Sequence, residues 1–366
     1  MIELAVIGGG PAGLIAAREA ARAGASVIVF EEHMEIGEPE RCAGLLSLSG
    51  LKRLGFSVSG KYLQNIIRGA VIRTSNGRWR ILDAGRPVAA VVSRSIFDKE
   101  AAKQAEHAGA EIVCGVRVKA VERDGGEFRI TASDSIRQSL WVIDAEGAGA
   151  ALLRRFLGAG TEPRKWIPII QLIVENHGLD KRFVYIYLKD YLPDFFAYLI
   201  PIDESLGKLG VASRSPDLKK LLIRFLGEEF PDVLCLNSSS HVIYTGSPLD
   251  STILFPSRLV PVGDAAGHVK ATTGGGVIMG GLIAARIASA IAASLNGGSP
   301  ERPLAEARKL IKELRRMAYL RRLIGRMNSP LLEILIAIAT SKIGNPYLSR
   351  KGDMDFQISS ILGSRF

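Results

Sequence analysis

A glycine-rich turn near the amino terminus constrains the fold more than any other feature of this chain. The apolar run Leu4–Ile7 leads into the sequence GGGPAG at residues 8–13, and an alanine-rich helical pattern follows from Leu14 to Ala23. A second apolar run, Val27–Phe30, ends at Glu31. The order strand, tight turn, helix, strand within about 30 residues predicts a βαβ unit and therefore a parallel α/β sheet.

The glycines of this turn have the spacing of a dinucleotide-binding motif. In the pattern GxGxxG, Gly8 permits the tight turn, Gly10 lets the backbone approach a pyrophosphate, and Gly13 lets the helix pack on the strand. The helix then presents free N–H groups and a positive dipole end to the phosphates. Glu31 stands 23 residues after Gly8, where a carboxylate accepts hydrogen bonds from ribose hydroxyls. The alternative is a glycine-rich turn that binds no ligand.

Three features favour FAD over a nicotinamide nucleotide as the bound dinucleotide. The motif stands at the very start of the chain, as in many flavoproteins. A second glycine-rich segment, GDAAG at residues 263–267, follows an apolar run far along the chain. A second GxGxxG with a downstream acid, which a stably bound nicotinamide nucleotide would use, is missing.

The middle and the end of the chain have different patterns. Residues 166–244 are rich in aromatic and β-branched residues in alternating order, which predicts an antiparallel sheet. The segment Asp124-Gly125-Gly126 predicts a hairpin turn between two strands. The glycines at 274–276 open a helix of small residues that runs to about Leu295.

Composition excludes several classes of protein. The chain of 366 residues is 47% hydrophobic and 23% charged, as expected for a folded globular protein. Its three cysteines are too few for a disulfide framework, and they match no zinc spacing, so no metal site is predicted. The apolar stretch closest to a membrane span is Leu331–Ala339, which is too short and contains Glu333. With no basic segment before the apolar start, the sequence predicts a cytoplasmic protein without a signal peptide.

The net charge of +10 favours anionic partners, and much of it comes from one segment. Residues 301–330 contain nine lysines and arginines against three glutamates. One helical stripe of this segment carries Arg308, Lys312, Arg315, Arg322 and Arg326. Two interpretations stay open: an amphipathic helix with a solvated face, and peripheral contact with anionic lipid headgroups. Nucleic acid is not a predicted partner, because the cluster lacks interleaved aromatic residues for stacking.

Four motifs together resemble the geranylgeranyl reductase family, which belongs to the larger group with the p-hydroxybenzoate hydroxylase fold. They are VIGGGPAG followed by Glu31, RCAG at 41–44, Arg94-x-x-Phe97-Asp98, and VGDAAGHVKATTGGG at 262–276. The resemblance covers residues 4 to about 290 of the printed sequence.

The resemblance implies an α/β fold with a split Rossmann-like FAD-binding domain, an inserted α+β antiparallel-sheet substrate domain and a C-terminal helical region. The implied bounds are 1–55, 88–165 and 250–300 for the FAD-binding domain, 56–87 and 166–249 for the substrate domain, and 301–366 for the helical region.

The resemblance also implies a set of FAD contacts, which joins the glycines of the first turn. The expected residues are Gly8, Gly10, Ala12, Gly13, Glu31, Arg41, Cys42, Ala43, Gly44, Arg94, Val118, Asp264, Gly276 and Val277. Three of them have a plain structural alternative. Arg94 either neutralises phosphate charge or forms a surface ion pair. Val118 either presents its backbone to adenine or is a core strand residue, and Asp264 either binds sugar hydroxyls or caps a helix.

Cys42 is the catalytic candidate, since the resemblance implies a sulfur near the flavin ring. The alternative is a buried small apolar side chain, and proton donation, gating of the ring and packing stay open as its role. His268, inside the GDAAGH run, is either a site residue or a loop histidine that faces solvent or is bonded locally.

A family motif that resembles Tyr-x-Trp-x-Phe-Pro, followed after eight residues by glycine, implies a substrate-binding segment. Here Phe196, Tyr198 and Pro201 stand in the first, third and sixth positions of that motif, and Gly210 is the glycine. A wider apolar set either lines a prenyl channel or forms an ordinary sheet core. Its members are Phe183, Tyr185, Tyr187, Phe195, Phe196, Tyr198 and Ile200.

The resemblance implies reduction of C=C bonds in polyprenyl (geranylgeranyl) chains, of archaeal-type ether glycerophospholipids, with NAD(P)H or a small redox protein such as reduced ferredoxin as transient electron donor. One alternative is an FAD-dependent aromatic-ring monooxygenase of the same fold. Those enzymes resemble Pro-x-x-Gly-x-Gly-x-Asn, whose proline and asparagine this chain lacks at 271–278. The other alternative is a membrane-surface flavoprotein that passes electrons to quinone.

Overall fold

The computed structural model describes residues 2–158, 162 and 165–362. Its contacts divide the chain into two compact units. Unit 1 comprises Met1–Pro39, Ser95–Lys165 and Tyr244–Ala318. Unit 2 comprises Glu40–Arg94, Trp166–Ile243 and Tyr319–Phe366.

The strands and helices of the described residues follow one another in a mixed α/β order. The strands are β1 (Ile2–Ile7), β2 (Val27–Phe30), β3 (Leu45–Ser47), β4 (Leu63–Ile67), β5 (Gly69–Arg73), β6 (Trp79–Asp83), β7 (Ala89–Val92), β8 (Glu111–Val113), β9 (Val118–Asp124), β10 (Glu127–Ala132), β11 (Ile136–Asp144), β12 (Trp166–Glu175), β13 (Phe183–Tyr187), β14 (Ala197–Pro201), β15 (Gly207–Ala212), β16 (Leu234–Tyr244) and β17 (Leu259–Pro261). The helices are α1 (Pro11–Arg22), α2 (Leu48–Arg53), α3 (Arg94–His107), α4 (Ala151–Leu157), α5 (Leu218–Glu229), α6 (Val277–Leu295), α7 (Glu301–Ile324), α8 (Ser329–Ala339), α9 (Gly344–Lys351) and α10 (Gln357–Ile361).

Unit 1 is built on one sheet in the order β8-β2-β1-β11-β10-β9, with β17 paired to β11. Strands β8, β2, β1, β11 and β17 are parallel, and β9 and β10 form the antiparallel hairpin predicted at 124–126. In register, Ile7 pairs with both Phe30 and Asp144. Because parallel strands end at one edge of a sheet, the turn at 8–13, Glu31 and Asp144 come to the same edge. The predicted βαβ unit is confirmed.

Helix α6 packs against α1 and is a core helix. By length and composition it could cross a membrane, but 67% of its apolar stretch is buried inside the protein. The expectation that Leu331–Ala339 is the nearest approach to a membrane span was therefore wrong, since α6 is longer. Arg286 interrupts the apolar run of this helix in the sequence, and in the structure its side chain is exposed and pairs with Glu306.

Unit 2 contains two sheets. The larger has the order β16-β12-β15-β14-β13-β5-β6, and the smaller has the order β3-β7-β4. One face of the large sheet packs Tyr185 and Tyr187 into a core with Phe225 of α5. The opposite face packs Tyr198 and Ile200 into a second core. Alternate residues of a strand point to opposite faces, which is why neighbouring aromatic residues enter different cores.

The two units differ from the predicted domain bounds at four places, one of which is that residues 244–249, predicted in the substrate domain, lie in unit 1. Residues 40–55 and 88–94 lie in unit 2, because β3 and β7 from these segments pair with each other in the small sheet. The predicted helical region 301–366 is divided after Ala318. The earlier part of α7 buries its apolar side chains in unit 1, whereas the chain after it bonds to unit 2, for example through Ser47 and Asp355.

Candidate functional site

At Gly8, the first glycine turn adopts a backbone conformation that only glycine suits. Gly8 has a φ of +107°, and a Cβ there would lie 2.3 Å from the carbonyl oxygen of Ala145. A Cβ at Gly13 would lie 2.1 Å from the carbonyl oxygen of Gly8. Both positions therefore allow the start of α1 to pack tightly against the ends of β1 and β11.

Gly10 differs from these two because no described residue fills the space beside it. A Cβ built on Gly10 meets no atom within 4 Å, and its φ of −77° suits any residue. Gly10 is also the N-cap of α1, and no side chain caps this helix end. An open space over uncapped N–H groups, at the positive end of a helix dipole, is what a diphosphate requires. The turn therefore fits the diphosphate of FAD.

Glu31 is held at the same edge by hydrogen bonds to its two oxygens. Its Oε2 accepts from the backbone N of Gly9 at 2.7 Å, and its Oε1 accepts from the backbone N of His33 at 2.9 Å. The Nδ1 of His33 lies 2.6 Å from the same Oε1. Two carboxylate oxygens offer about four acceptor positions, so Glu31 keeps capacity for a ribose hydroxyl. His33 was missed by the sequence reasoning, although it stands only two residues after Glu31.

The late glycine segment lies directly beside the first turn of α1. A Cβ on Gly263 would come within 2.8 Å of the Cβ of Ala12. A Cβ on Gly276 would lie 3.0 Å from Oδ1 of Asp264, whose side chain is half-buried. Gly276 is the N-cap of α6, which begins at Val277, and no side chain caps it. Two uncapped helix starts and a carboxylate thus meet in unit 1, although the chain separates them widely.

Val118 opens β9, and its side chain is 8% exposed within the core of unit 1. The core-strand interpretation therefore holds for this side chain. The pairing of β9 with β10 becomes irregular where Val118 meets Ala132. The predicted contact of Val118 with adenine can therefore be made only by its backbone.

Asp144, which the sequence reasoning missed, is a buried acid at the end of β11. Its Oδ1 accepts from the backbone N of Glu146 at 3.1 Å, while its Oδ2 has no hydrogen-bond partner among the described residues. Burial, together with the nearby Glu146, raises the pKa of Asp144 to about 7. Burial also raises the pKa of Glu146. The sequence signal that could have identified Asp144 is an acidic residue at the end of a strand.

Four consecutive predicted FAD contacts lie in unit 2, namely Arg41, Cys42, Ala43 and Gly44. A buried lysine contacts the chain on either side of this segment in the fold. Lys208 on β15 is 2% exposed, and its Nζ lies 3.0 Å from Oε1 of Glu40 and 3.1 Å from the carbonyl oxygen of Val92. A Cβ on Gly44 would lie only 2.2 Å from that carbonyl. No sequence signal pointed to Lys208, because its role depends on strand pairing.

The half-buried Cys42 carries a free thiol and lies near Tyr198. Burial raises the pKa of Tyr198, and Cys42 adds to this rise. The hydroxyl of Tyr198 donates to Oε1 of Gln171 at 2.8 Å. Gly210 pairs with both residues across the sheet, and a Cβ there would lie 2.3 Å from Cζ of Tyr198. Because Gly210, the glycine of the motif, has no side chain, it leaves room for the ring of Tyr198.

We expect Gly210→Ala to lower the free energy of unfolding by about 2 kcal/mol, because the new methyl group displaces the Tyr198 ring and breaks its bond to Gln171. Chemical denaturation would measure the loss. In a Tyr198→Leu background the same glycine substitution should cost much less. Equal costs in both backgrounds would contradict this packing.

His241 in unit 2 interacts electrostatically with two of the arginines predicted to contact FAD. The Nδ1 of His241 is buried and has no hydrogen-bond partner among the described residues. Burial, together with the positive charges of Arg41 and Arg94, lowers the pKa of His241 to about 4. Both arginines therefore act on one place in unit 2, where their positive charge suits an anionic group. His241 was not singled out by the sequence.

The predicted substrate residues lie at the ends of β14. Phe196 stacks on Phe195 with ring centroids 4.2 Å apart, and the Arg321 guanidinium lies 4.7 Å from the Phe195 ring. The carbonyl of Pro201 accepts from Nδ2 of Asn65 at 2.9 Å. A channel cannot include the whole apolar set, because Phe183, Tyr185 and Tyr187 belong to the core on the other face of the sheet.

His268 is buried inside unit 1, with its Nε2 3.3 Å from Oγ of Ser251. Burial lowers its pKa to about 4, so the ring is neutral near neutral pH. The solvent-facing alternative for this histidine was therefore wrong, and its Nδ1 has no hydrogen-bond partner in the described part of the chain. Among the described residues, no group of three or more histidine, cysteine or acidic side chains could hold a metal ion.

Known proteins resemble this chain in sequence and in fold. The family model described as FAD dependent oxidoreductase matches residues 3–152. Digeranylgeranylglycerophospholipid reductase 1 of Methanococcoides burtonii is 31% identical, over 75% of this chain and 70% of the relative.

Solved structures share the fold over nearly the whole chain. A geranylgeranyl bacteriochlorophyll reductase-like protein of Thermoplasma acidophilum has a TM-score of 0.84 at 23% identity and covers 99% of this chain and 94% of its own. A p-nitrophenol 4-monooxygenase of Pseudomonas putida has a TM-score of 0.72 at 16% identity, covering 99% of this chain and 97% of its own. Together with the FAD-fitting turn, the relative at 31% identity leads to one conclusion. The chain belongs to the geranylgeranyl reductase family of FAD-dependent oxidoreductases.

Proposed function

We propose that this protein hydrogenates C=C bonds in the geranylgeranyl chains of archaeal-type ether glycerophospholipids. The observation that carries the proposal is the 31% identity, over three quarters of the chain, to a relative named for that reaction. The likeness to the monooxygenase concerns the fold alone, at 16% identity, and favours no second function.

The residues of unit 1 would bind the cofactor. When bound and reduced, FAD supplies the hydride that the reaction requires. The uncapped starts of α1 and α6 offer N–H groups to negative charge, and the carboxylates of Glu31 and Asp264 accept hydrogen bonds from sugar hydroxyls. Backbone N–H groups of Gly9 and His33 hold the Glu31 carboxylate in place, so little reorganisation of Glu31 accompanies binding.

The residues of unit 2 would bind the alkene. An isolated alkene is a poor hydride acceptor, so the site must orient it and keep bulk water away. Phe196 is half-buried and offers apolar surface for this purpose, whereas Tyr198 is buried in a core of the large sheet, and each buried CH₂ group contributes about 0.8 kcal/mol. Tyr198 holds its own proton firmly, since its pKa is raised and its hydroxyl is bonded to Gln171.

The proton for the second alkene carbon then needs another donor in this part of unit 2. Cys42 has a free, half-buried thiol near Tyr198, and we assign its Sγ this proton. NAD(P)H or reduced ferredoxin would provide electrons in a transient encounter.

The test is an anaerobic incubation of the reduced protein with a geranylgeranyl glycerophospholipid, read by mass spectrometry of the lipid. We expect products heavier by a pair of hydrogen atoms for each bond reduced. Cys42→Ala should slow their formation about a hundredfold, because a general acid contributes at least that much. The matched control is Cys235→Ala, since Cys235 is an exposed free cysteine.

Other outcomes would contradict the proposal. Oxygen-dependent NADPH oxidation stimulated by a phenol, with no hydrogenated lipid, would favour the aromatic monooxygenase. Reduction of quinone without hydrogenated lipid would favour the electron carrier. If Cys42→Ala and Cys235→Ala gave equal rates, the assignment of the proton to Cys42 would be wrong.

A further inference from the structure

Helix α8 presents an apolar face to solvent. Its exposed residues Leu331, Ile334, Leu335 and Ile338 follow the spacing i, i+3, i+4, i+7, which is that of one helix face. Their side chains are 44, 57, 41 and 60% exposed, and no residue of α8 is buried. In a helix of a globular domain this face normally points to the core. These four residues, with Ile343 and Tyr347, are called the apolar face below.

Polar contacts on the opposite side hold α8 and α9 on unit 2. The side chain of Asn76 donates to Glu333, the one charged residue of α8. Ser329 Oγ donates to Oδ1 of Asp190 at 2.9 Å. The backbone N of Asp83 on β6 donates to Oδ1 of Asn345 at 3.2 Å. The apolar face is therefore turned outward by a fixed arrangement.

A groove of about 700 Å³ runs along the apolar face. Ile334 and Ile338 line it from α8, and Ile343 and Tyr347 line it from the following turn and α9. Ile343 is 85% exposed. A groove with these walls suits a hydrocarbon chain, because apolar side chains form most of its surface.

The segment that carries the apolar face has more positive than negative side chains. The exposed basic residues in this part of unit 2 make no ion pair with any described residue; they are Arg322, Arg326, Lys342, Arg350 and Lys351. The acids of the same segment are bonded within the protein: Glu333 to Asn76, Asp353 to Ser49, and Asp355 to Ser47. Free positive charge beside apolar surface complements an anionic lipid layer.

We propose that α8 and α9 form a docking surface for an anionic lipid bilayer, with the apolar face in the layer and a lipid chain in the groove. At 1.5 Å per residue, α8 is about 16 Å long, too short for a hydrocarbon core of about 30 Å. It would therefore lie in the plane of the interface. A second copy of the chain is a poorer occupant, because a twofold interface here would bring the same unpaired cations together.

This inference rests on the proposed function, since an enzyme acting on membrane lipids must reach them in the bilayer. It also places the contact with lipid on α8 and α9, whereas in the sequence the basic stripe of α7 was the candidate for that contact. There Arg308 donates to Thr252 at 2.9 Å, and Arg315 lies 3.4 Å from Asp250. These two side chains are engaged within unit 1.

Flotation of the FAD-loaded full-length protein with vesicles tests the docking surface. One set of vesicles is an equimolar mixture of phosphatidylcholine and phosphatidylglycerol, and the other is phosphatidylcholine alone. We expect binding to the anionic set that weakens as salt is added. Ile334→Glu/Ile338→Glu should reduce the bound fraction relative to free protein roughly tenfold or more. The matched control is Ile223→Glu/Ile253→Glu, at positions 69 and 71% exposed.

Three results would overturn the docking surface. They are wild-type protein that floats with neither vesicle set, an apolar-face variant that floats like the control, and a dimer in vesicle-free solution that this variant abolishes. Hydrogenation of detergent-dispersed geranylgeranyl lipid, measured on the same samples, separates the two proposals. Unchanged hydrogenation by a variant that no longer floats supports both, and flotation without any hydrogenation removes the proposed reaction while leaving the docking surface.

Discussion

Gly10→Ala is expected to fold as the wild type does and to bind FAD about a hundredfold more weakly. Its new methyl group meets no protein atom within 4 Å, and the backbone at this position already has an ordinary φ of −77°. The methyl group instead occupies the open space over the start of α1, which the diphosphate needs. Titration of the apoprotein with FAD, followed by flavin fluorescence, would measure the loss.

Two matched glycine substitutions separate binding from folding. Gly227→Ala also meets no atom within 4 Å, but it lies on α5 in unit 2, and it should leave FAD affinity unchanged. Gly13→Ala places a methyl group 2.1 Å from the carbonyl oxygen of Gly8, so it should lower thermal stability even without FAD. Wild-type affinity in Gly10→Ala would show that the diphosphate does not lie over this turn.

Asp144→Asn is expected to change how stability depends on pH. The carboxyl has a pKa of about 7 in the folded protein and 3.8 when free of its surroundings. Between these values the folded state binds more protons than the unfolded state, so this group makes the free energy of unfolding fall as pH rises. Below about pH 4 both states are protonated, and above about pH 7 both are ionised. An asparagine of the same shape has no such dependence.

The size of this effect follows from the shift in pKa. A shift of about three units corresponds to about 4 kcal/mol at 1.36 kcal/mol per unit. The stability of Asp144→Asn relative to wild type should therefore rise by about that amount between pH 4 and pH 7 and then level off. Denaturant unfolding of the two apoproteins across this range would measure the difference. Taking the difference cancels His241 and His268, whose lowered pKa values act in the opposite direction.

The control for this experiment is Asp134→Asn, which alters an exposed carboxylate in the same unit. It should follow the wild-type curve at every pH. Parallel curves for wild type and Asp144→Asn would mean that Asp144 is ionised in the folded protein across the whole range. A cation or a hydrogen-bond donor at Oδ2 would then have to be present.

Local pattern predicted the elements that lie close along the chain. The βαβ unit follows from apolar runs, a glycine turn and a helical repeat within a short segment, and it is confirmed by β1, α1 and β2. The hairpin at 124–126 and the long helix after 274–276 are confirmed for the same reason. In each case neighbouring residues decide the backbone conformation, and the distant chain has little influence.

The sequence by itself determined the glycine turn, its acid at Glu31 and the small-residue helix α6, because spacing alone governs a turn and a helix face. Only the tertiary structure decided that Gly263 meets Ala12, that Asp144 is buried with one unpaired oxygen, and that Lys208 lies beneath Gly44. It also decided that α8 turns its apolar residues outward. These outcomes depend on which strands pair and which faces are covered, and such pairings join residues far apart in the chain, where local propensity has no information.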